Sequence, residues 1–113
     1  MNSKSKGEFG EKLAKKYYES LSCEVLETNY RFGRCEIDLI VLKEERLLIF
    51  VEVKNRSRRD FGEAETFVSE SQKDRIRQAA EDYIYAINWQ GDLRFDIACV
   101  GPRAEIEIFE DAF

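Results

Sequence analysis

Two apolar runs, Glu36–Leu42 and Leu47–Lys54, are separated by only four residues, all charged: Lys43-Glu44-Glu45-Arg46. Both runs are rich in Ile, Leu, Val and Phe, the composition of buried strands. Together they read as one hairpin, and the apolar pattern selects its register. With the loop centred on Glu45, Ile37 faces Val53, Leu39 faces Val51 and Val41 faces Ile49, which makes one face wholly apolar. The same register sets Asp38 opposite Glu52 and Glu36 opposite Lys54. It gathers the charges at one end of the other face. A two-residue turn would shift the pairing by one and mix charged with apolar neighbours.

Directly opposed residues have Cβ atoms only about 5 Å apart. Two carboxylates that close repel unless a cation or a proton comes between them. A hard divalent ion with oxygen ligands suits the pair, and Mg2+ is the usual candidate. Lys54 lies two residues beyond Glu52 and points to the same face. It is positioned to orient an attacking water or to stabilise charge building on a phosphate. The plainer account is a half-exposed strand pair with a Glu36–Lys54 ion pair. Strongly apolar flanks, as in a central strand, favour the functional account.

The rest of the chain frames this hairpin. At 113 residues it is one domain, 1–113, long enough to bury a core without disulfide or zinc. A first helix is expected from about Gly7 to Ser22, where Phe9, Leu13, Tyr17 and Leu21 recur every four residues with Ala14 and Tyr18 beside them. A first strand is expected near Cys23–Thr28, and a polar loop from Asn55 to Val68 follows the hairpin. Helix two has the clearest periodicity: Ile76, Ala79, Ala80, Tyr83, Ile84 and Ile87. Ser69-Glu70-Ser71-Gln72 offers a capping box at its start, and Gly91 follows its end. Two last strands, Leu93–Val100 and Glu105–Phe109, flank the Gly101-Pro102 turn. The order α-β-β-β-α-β-β predicts an α/β fold with helices covering a central sheet.

Composition narrows the chemistry. There is no histidine, and the three cysteines, Cys23, Cys35 and Cys99, show no CxxC spacing. Zinc sites built on Cys/His pairs and His-activated nucleophiles are therefore excluded. Any catalysis runs on carboxylates, lysine, arginine, tyrosine and a hard metal. The net charge of −5 opposes nucleic-acid binding by the molecule as a whole. Basic residues nevertheless gather at Lys12, Lys15 and Lys16, at Arg56, Arg58 and Arg59, and at Lys73, Arg75 and Arg77. No apolar run approaches the ~20 residues of a membrane span, and Met1 to Lys6 is polar, so a cytoplasmic protein is expected.

Asp38, Glu52-Val53-Lys54 and the element order resemble the PD-(D/E)XK nuclease superfamily. More closely, the chain resembles the YraN-type family of uncharacterised endonuclease-like proteins, which is similar to Holliday-junction resolvases. The matching segments are Gly7-x-x-Gly10-Glu11-x-x-Ala14, Asn29-Tyr30-Arg31, Glu36-Ile37-Asp38-Leu39-Ile40 and Phe50-Val51-Glu52-Val53-Lys54-x-Arg56. Lys73 and Arg94-Phe95-Asp96 complete them, and they span nearly the whole chain. The resemblance implies a restriction-endonuclease-like α-β-β-β-α-β core with a central mixed sheet. It implies Asp38, Glu52 and the Val53 carbonyl as metal ligands, Lys54 as catalytic lysine, and Glu11 approaching the metal from helix one. One departure is Cys35, where the family usually has glycine.

The expected activity is Mg2+- or Mn2+-dependent phosphodiester hydrolysis in DNA, branched or otherwise structured. Arg56 and Arg58, directly after the catalytic strand, and Lys73, in the first turn of helix two, are the expected phosphate contacts. Arg94 and Asp96 share a strand face and read as an ion pair. A homodimer is expected by analogy with resolvases, which cut two strands with paired sites. A non-catalytic nucleic-acid-binding or protein-interaction module on the same fold stays open, as does a nuclease that needs an unidentified protein partner.

Overall fold

The computed structural model describes residues 3–56 and 68–113. The elements are α1 (Ser3–Ser20), β1 (Glu24–Phe32), β2 (Cys35–Lys43), β3 (Leu47–Asn55), α2 (Glu70–Ile87), β4 (Asp92–Val100) and β5 (Ile106–Phe109). The five strands form one mixed sheet in chain order: β1, β2 and β3 are antiparallel, β3 and β4 parallel, and β4 and β5 antiparallel. The parallel pair needs a crossover, and α2 supplies it.

The β2–β3 register is the one the apolar pattern selects, with Leu39 opposite Val51 and Val41 opposite Ile49. Lys43 pairs with Leu47 around a loop in which Glu44 and Glu45 both have positive φ, 53° and 58°. The two faces carry separate cores. Leu39, Val41, Ile49 and Val51 pack under α1 with Ala14 and Tyr18. Ile40, Leu48 and Phe50 pack under α2 with Ile76, Ala79, Ala80 and Tyr83. A run of aromatic contacts crosses the second core: Tyr30 meets Tyr83, Tyr83 meets Phe50, Phe50 meets Phe95, and Phe95 meets Phe113, with ring centroids 5.0–6.5 Å apart.

Three local expectations are corrected. In α1 the buried line is Gly10, Ala14 and Tyr18, while Phe9 and Leu21 are 42% and 48% exposed. Small residues at the first two positions let the helix sit close to β3: a Cβ on Gly10 would lie 3.0 Å from Asn55 Oδ1 and 3.3 Å from Val53 Cγ1. β1 runs on to Phe32 rather than ending near Thr28, because Tyr30 is held from α2 by the Tyr83 ring and by a hydrogen bond to Asp82. α2 starts on the expected Ser69/Gln72 capping box, but Asn88, not Gly91, takes the left-handed position at its end (φ 53°).

Arg94 and Asp96 do pair. Asp96 is fully buried, and its carboxylate accepts from Arg94 Nε (2.8 Å) and Nη2 (2.9 Å), Tyr18 Oη (2.8 Å) and the Asp111 N–H (3.1 Å). Four donors compensate one buried charge. They also tie α1, β4 and the C-terminal segment together beneath the sheet.

Candidate active site

Asp38 stands where the ladder breaks. The β2–β3 pairing ends at Leu39 and Val51, and the β1–β2 pairing passes from Thr28–Leu39 to Tyr30–Ile37, so Asp38 has no partner in either. The side-chain phase flips there. Leu39 and Val41 join the α1-side core, whereas Cys35 and Ile37 join the α2-side core. The expected pairings of Ile37 with Val53 and of Glu36 with Lys54 therefore do not form. In their place the Val53 N–H donates to Asp38 Oδ2 at 2.7 Å, so the carboxylate occupies a strand acceptor's place.

The two acids do converge. Asp38 and Glu52 lie within hydrogen-bond reach of one another, and burial, followed by Glu52, pushes the Asp38 carboxyl up to about 8. The Val53 N–H and the Lys54 ammonium pull the other way, favouring ionisation. Beside Glu52, the half-buried Asp38 carboxyl therefore favours its protonated form. Lys54 pairs in parallel register with Cys99 on β4. It alternates with Val51 and Val53, so it shares the face of Glu52.

Glu11, on α1, lines a separate cavity with Lys12, Lys15, Asn29 and Leu39, although the charge of Asp38 acts on it. Its carboxylate accepts from Asn29 Nδ2 at 3.2 Å. Partial burial raises its pKa, and the charges of Asp38 and Glu36 raise it further. Asn29 is itself in the left-handed region (φ 51°), opposite the break at Asp38. Among the described residues, no group of three or more His, Cys, Asp or Glu side chains is arranged to hold a metal ion. Two carboxylates and a backbone carbonyl remain the available donors.

A pocket of about 300 Å3 opens over the acids. Glu36, Asp38 and Glu52 line it together with Arg34, Gln72 and Arg75, and Ile76 supplies its apolar wall. Glu36 is bound to Arg31 across the β1–β2 pair (3.3 Å), not to Lys54, because the longer β1 brings the nearer cation. Cys35, beside it, is buried, with its thiol 3.9 Å from Gln78 Oε1.

The basic residues expected at phosphate lie elsewhere. Arg56 follows β3 directly, outside the pocket lining, and is held by Glu107 at 3.0 Å. Lys73 pairs with Glu70 at 3.5 Å and lies over the Phe113 ring, outside the pocket lining. Arg58 lies outside the described residues. Arg34 and Arg75, which none of the motifs marks, line the pocket instead. The available signal was Gly33 two residues before Cys35, which marks a tight hairpin and places Arg34 at its tip beside Glu36.

Residues 10–100 match the model of a family described as the uncharacterised protein family UPF0102. The chain belongs to that family. A UPF0102 protein of Solibacter usitatus is 44% identical over 95% of this chain and 84% of its own length. One from Cytophaga hutchinsonii is 39% identical over 84% of this chain and 83% of its own. One from Sulfurihydrogenibium is 38% identical over all of this chain and 97% of its own. These UPF0102 relatives share the YraN-type character expected from the motifs. Among solved structures, Pyrococcus furiosus SfsA in complex with Ca2+ is similar over 88% of this chain and 59% of that one. At 13% identity and a TM-score of 0.31, that likeness is too weak to bear on fold or function. No helix among the described residues is long and apolar enough to cross a membrane.

Proposed function

We propose that this UPF0102 chain is a metal-dependent nuclease that hydrolyses phosphodiesters in DNA, branched or otherwise structured. The observation that carries this reading is the Asp38–Glu52 pair, two carboxylates brought together at a ladder break on one pocket. Such repulsion costs stability and is relieved by a divalent cation. In this reading Asp38 and Glu52 would hold Mg2+ or Mn2+, with the Val53 carbonyl as a third ligand. The N–H and C=O of one residue on an extended strand point toward the same edge. The Val53 N–H aimed at Asp38 thus supports a carbonyl aimed there too.

The ion's contribution when bound is to activate a water and to neutralise charge on the phosphate. Lys54 favours the ionised form of Asp38 and brings a second cation to the same face. Glu11, held by Asn29, adds negative charge that favours a cation at the site. A homodimer would supply a second site for a second strand. Sedimentation as a monomer at micromolar concentration would remove that part of the reading.

The rival is a binding or interaction module on the same fold. The net charge of −5 and the absence of a three-side-chain metal group among the described residues favour it. The deciding experiment is cleavage of labelled duplex, single strand, flap and four-way junction DNA with Mg2+ or Mn2+. The native chain should cut at least one. Asp38→Ala and the double variant Asp38→Ala/Glu52→Ala should not, while still unfolding cooperatively. Cleavage at the native rate by the double variant would sink the nuclease. Mg2+ binding lost with Asp38, but no cleavage, would favour a partner-dependent enzyme.

A further inference from the structure

A phosphodiester approaching Asp38, Glu52 and Glu36 meets three carboxylates on a chain of net charge −5. Some cation of the protein has to receive it. Most described arginines near the sheet are already engaged: Arg31 by Glu36, Arg56 by Glu107, Arg77 by Asp74 and Arg94 by Asp96 and Glu110. Arg34 and Arg75 differ. Both are exposed, both line the carboxylate pocket, and neither makes an ion pair among the described residues.

They reach the pocket from separate elements. Arg34 stands at the tip of the β1–β2 hairpin, where Phe32 pairs with Cys35 across a two-residue turn. Gly33 takes the positive φ (61°) that this tight turn requires, which leaves Arg34 free to project. Arg75 lies in the second turn of α2, one turn beyond the capping residue Gln72, whose side chain closes the helix start. The two cations are anchored by different secondary structures on one pocket.

We infer that Arg34 and Arg75 form a two-guanidinium clamp for a backbone phosphate, holding a nucleic-acid strand against the Asp38–Glu52 centre. The inference deepens the nuclease reading by naming the residues that receive the substrate, and it rests on that reading for the substrate class. A guanidinium presents a planar fork that matches two phosphate oxygens. Because neither arginine makes an ion pair among the described residues, binding a phosphate breaks none of those seen there. Arg56 and Lys73 would each have to surrender one. Gln72, which also lines the pocket, caps the helix through its Oε1, so its Nε2 can donate to the same phosphate with the cap intact.

The test is nucleic-acid binding measured apart from cutting. Fluorescein-labelled duplex and four-way junction DNA are titrated with native protein in Ca2+, by anisotropy, from low to moderate salt. The variants are Arg34→Ala, Arg75→Ala and Arg75→Lys. Arg46→Ala serves as a charge-matched control at the opposite end of β2, since Arg46 is exposed and makes no ion pair among the described residues. Arg34→Ala and Arg75→Ala should each lose about tenfold in affinity near 0.1 M salt and flatten the salt slope by about one. Arg46→Ala should do neither, and Arg75→Lys should keep the slope while losing part of the affinity. If the clamp variants match Arg46→Ala, or if the native chain binds neither probe, the clamp is overturned. If the native chain binds through Arg34 and Arg75 but neither cuts nor binds Mg2+ through Asp38, the clamp stands and the nuclease falls.

Discussion

The backbone N–H of Val53 donates to the carboxylate of Asp38 at 2.7 Å, where the strand ladder would have offered a carbonyl. This contact holds Asp38 at the point where β2 and β3 part. The strands separate beyond Leu39 and Val51, and the gap becomes the mouth of the pocket. The acid is thus both a structural acceptor and the group most burdened by its neighbour Glu52.

That burden makes stability depend on pH. The Asp38 carboxyl is raised from its ordinary 3.8 to about 8, so the native chain keeps a proton that the unfolded chain releases. Where the native state binds more protons, stability falls as pH rises. The contribution is fully present below about pH 4 and is lost as pH climbs through about 8. In EDTA, urea unfolding should show native stability falling from pH 5 to pH 8, by at most about 1.4 kcal/mol per pH unit. Asp38→Asn should flatten the curve, and equal slopes in the two proteins would mean the pair holds no proton. Adding Mg2+ at pH 8 should restore stability to the native chain only.

Lys54 is tested by rate. If its ammonium stabilises charge at the phosphate, Lys54→Ala should lower single-turnover cleavage by about 10^2–10^3. Duplex affinity in Ca2+ should fall far less. An equal loss in both would make Lys54 a binding residue.

Asp96 should dominate stability without touching the chemistry. Asp96→Ala leaves the Arg94 guanidinium, largely buried, without its main partner, a loss of about 3–5 kcal/mol. Tyr18→Phe removes one hydrogen bond to a charged acceptor and should cost about 1.5–3 kcal/mol. Urea denaturation reads both. A Tyr18→Phe protein as stable as the native chain would show that this bond contributes nothing.

The two glycines of α1 should behave differently. A side chain at Gly7 meets nothing within 4 Å, so Gly7→Ala should be stabilising by up to about 1 kcal/mol. At Gly10 the new methyls meet Asn55 and Val53, and Gly10→Val should destabilise by about 1–3 kcal/mol. Melting temperatures moving in opposite directions would bear this out; a tolerated Gly10→Val would show that α1 can lift away from β3.

The sequence by itself determined what depends on neighbours along the chain. The periodicity of Ile76, Ala79, Ala80 and Tyr83 marks α2 because a helix face repeats every three to four residues. The Leu39–Val51 and Val41–Ile49 pairing was legible because a short charged link leaves few registers, and only one keeps a face apolar. That register also set Asp38 toward Glu52, although the ladder ends one residue short of them.

Only the tertiary structure decided what depends on distant partners. The phase flip at Asp38 comes from β1 and β3 diverging around it, which no local pattern in β2 announces. The buried line of α1 shifted to Gly10, Ala14 and Tyr18 because β3 rewards close approach and Asp96 waits for a hydroxyl. Arg56 and Lys73 looked free in sequence, yet Glu107 and Glu70 engage them. Arg34 and Arg75 line one pocket with the acids because the hairpin tip and the start of α2 reach it from positions 41 residues apart along the chain (75 minus 34). Charge is short-ranged in water, so a cation's role is set by what folding places within a few ångströms of it.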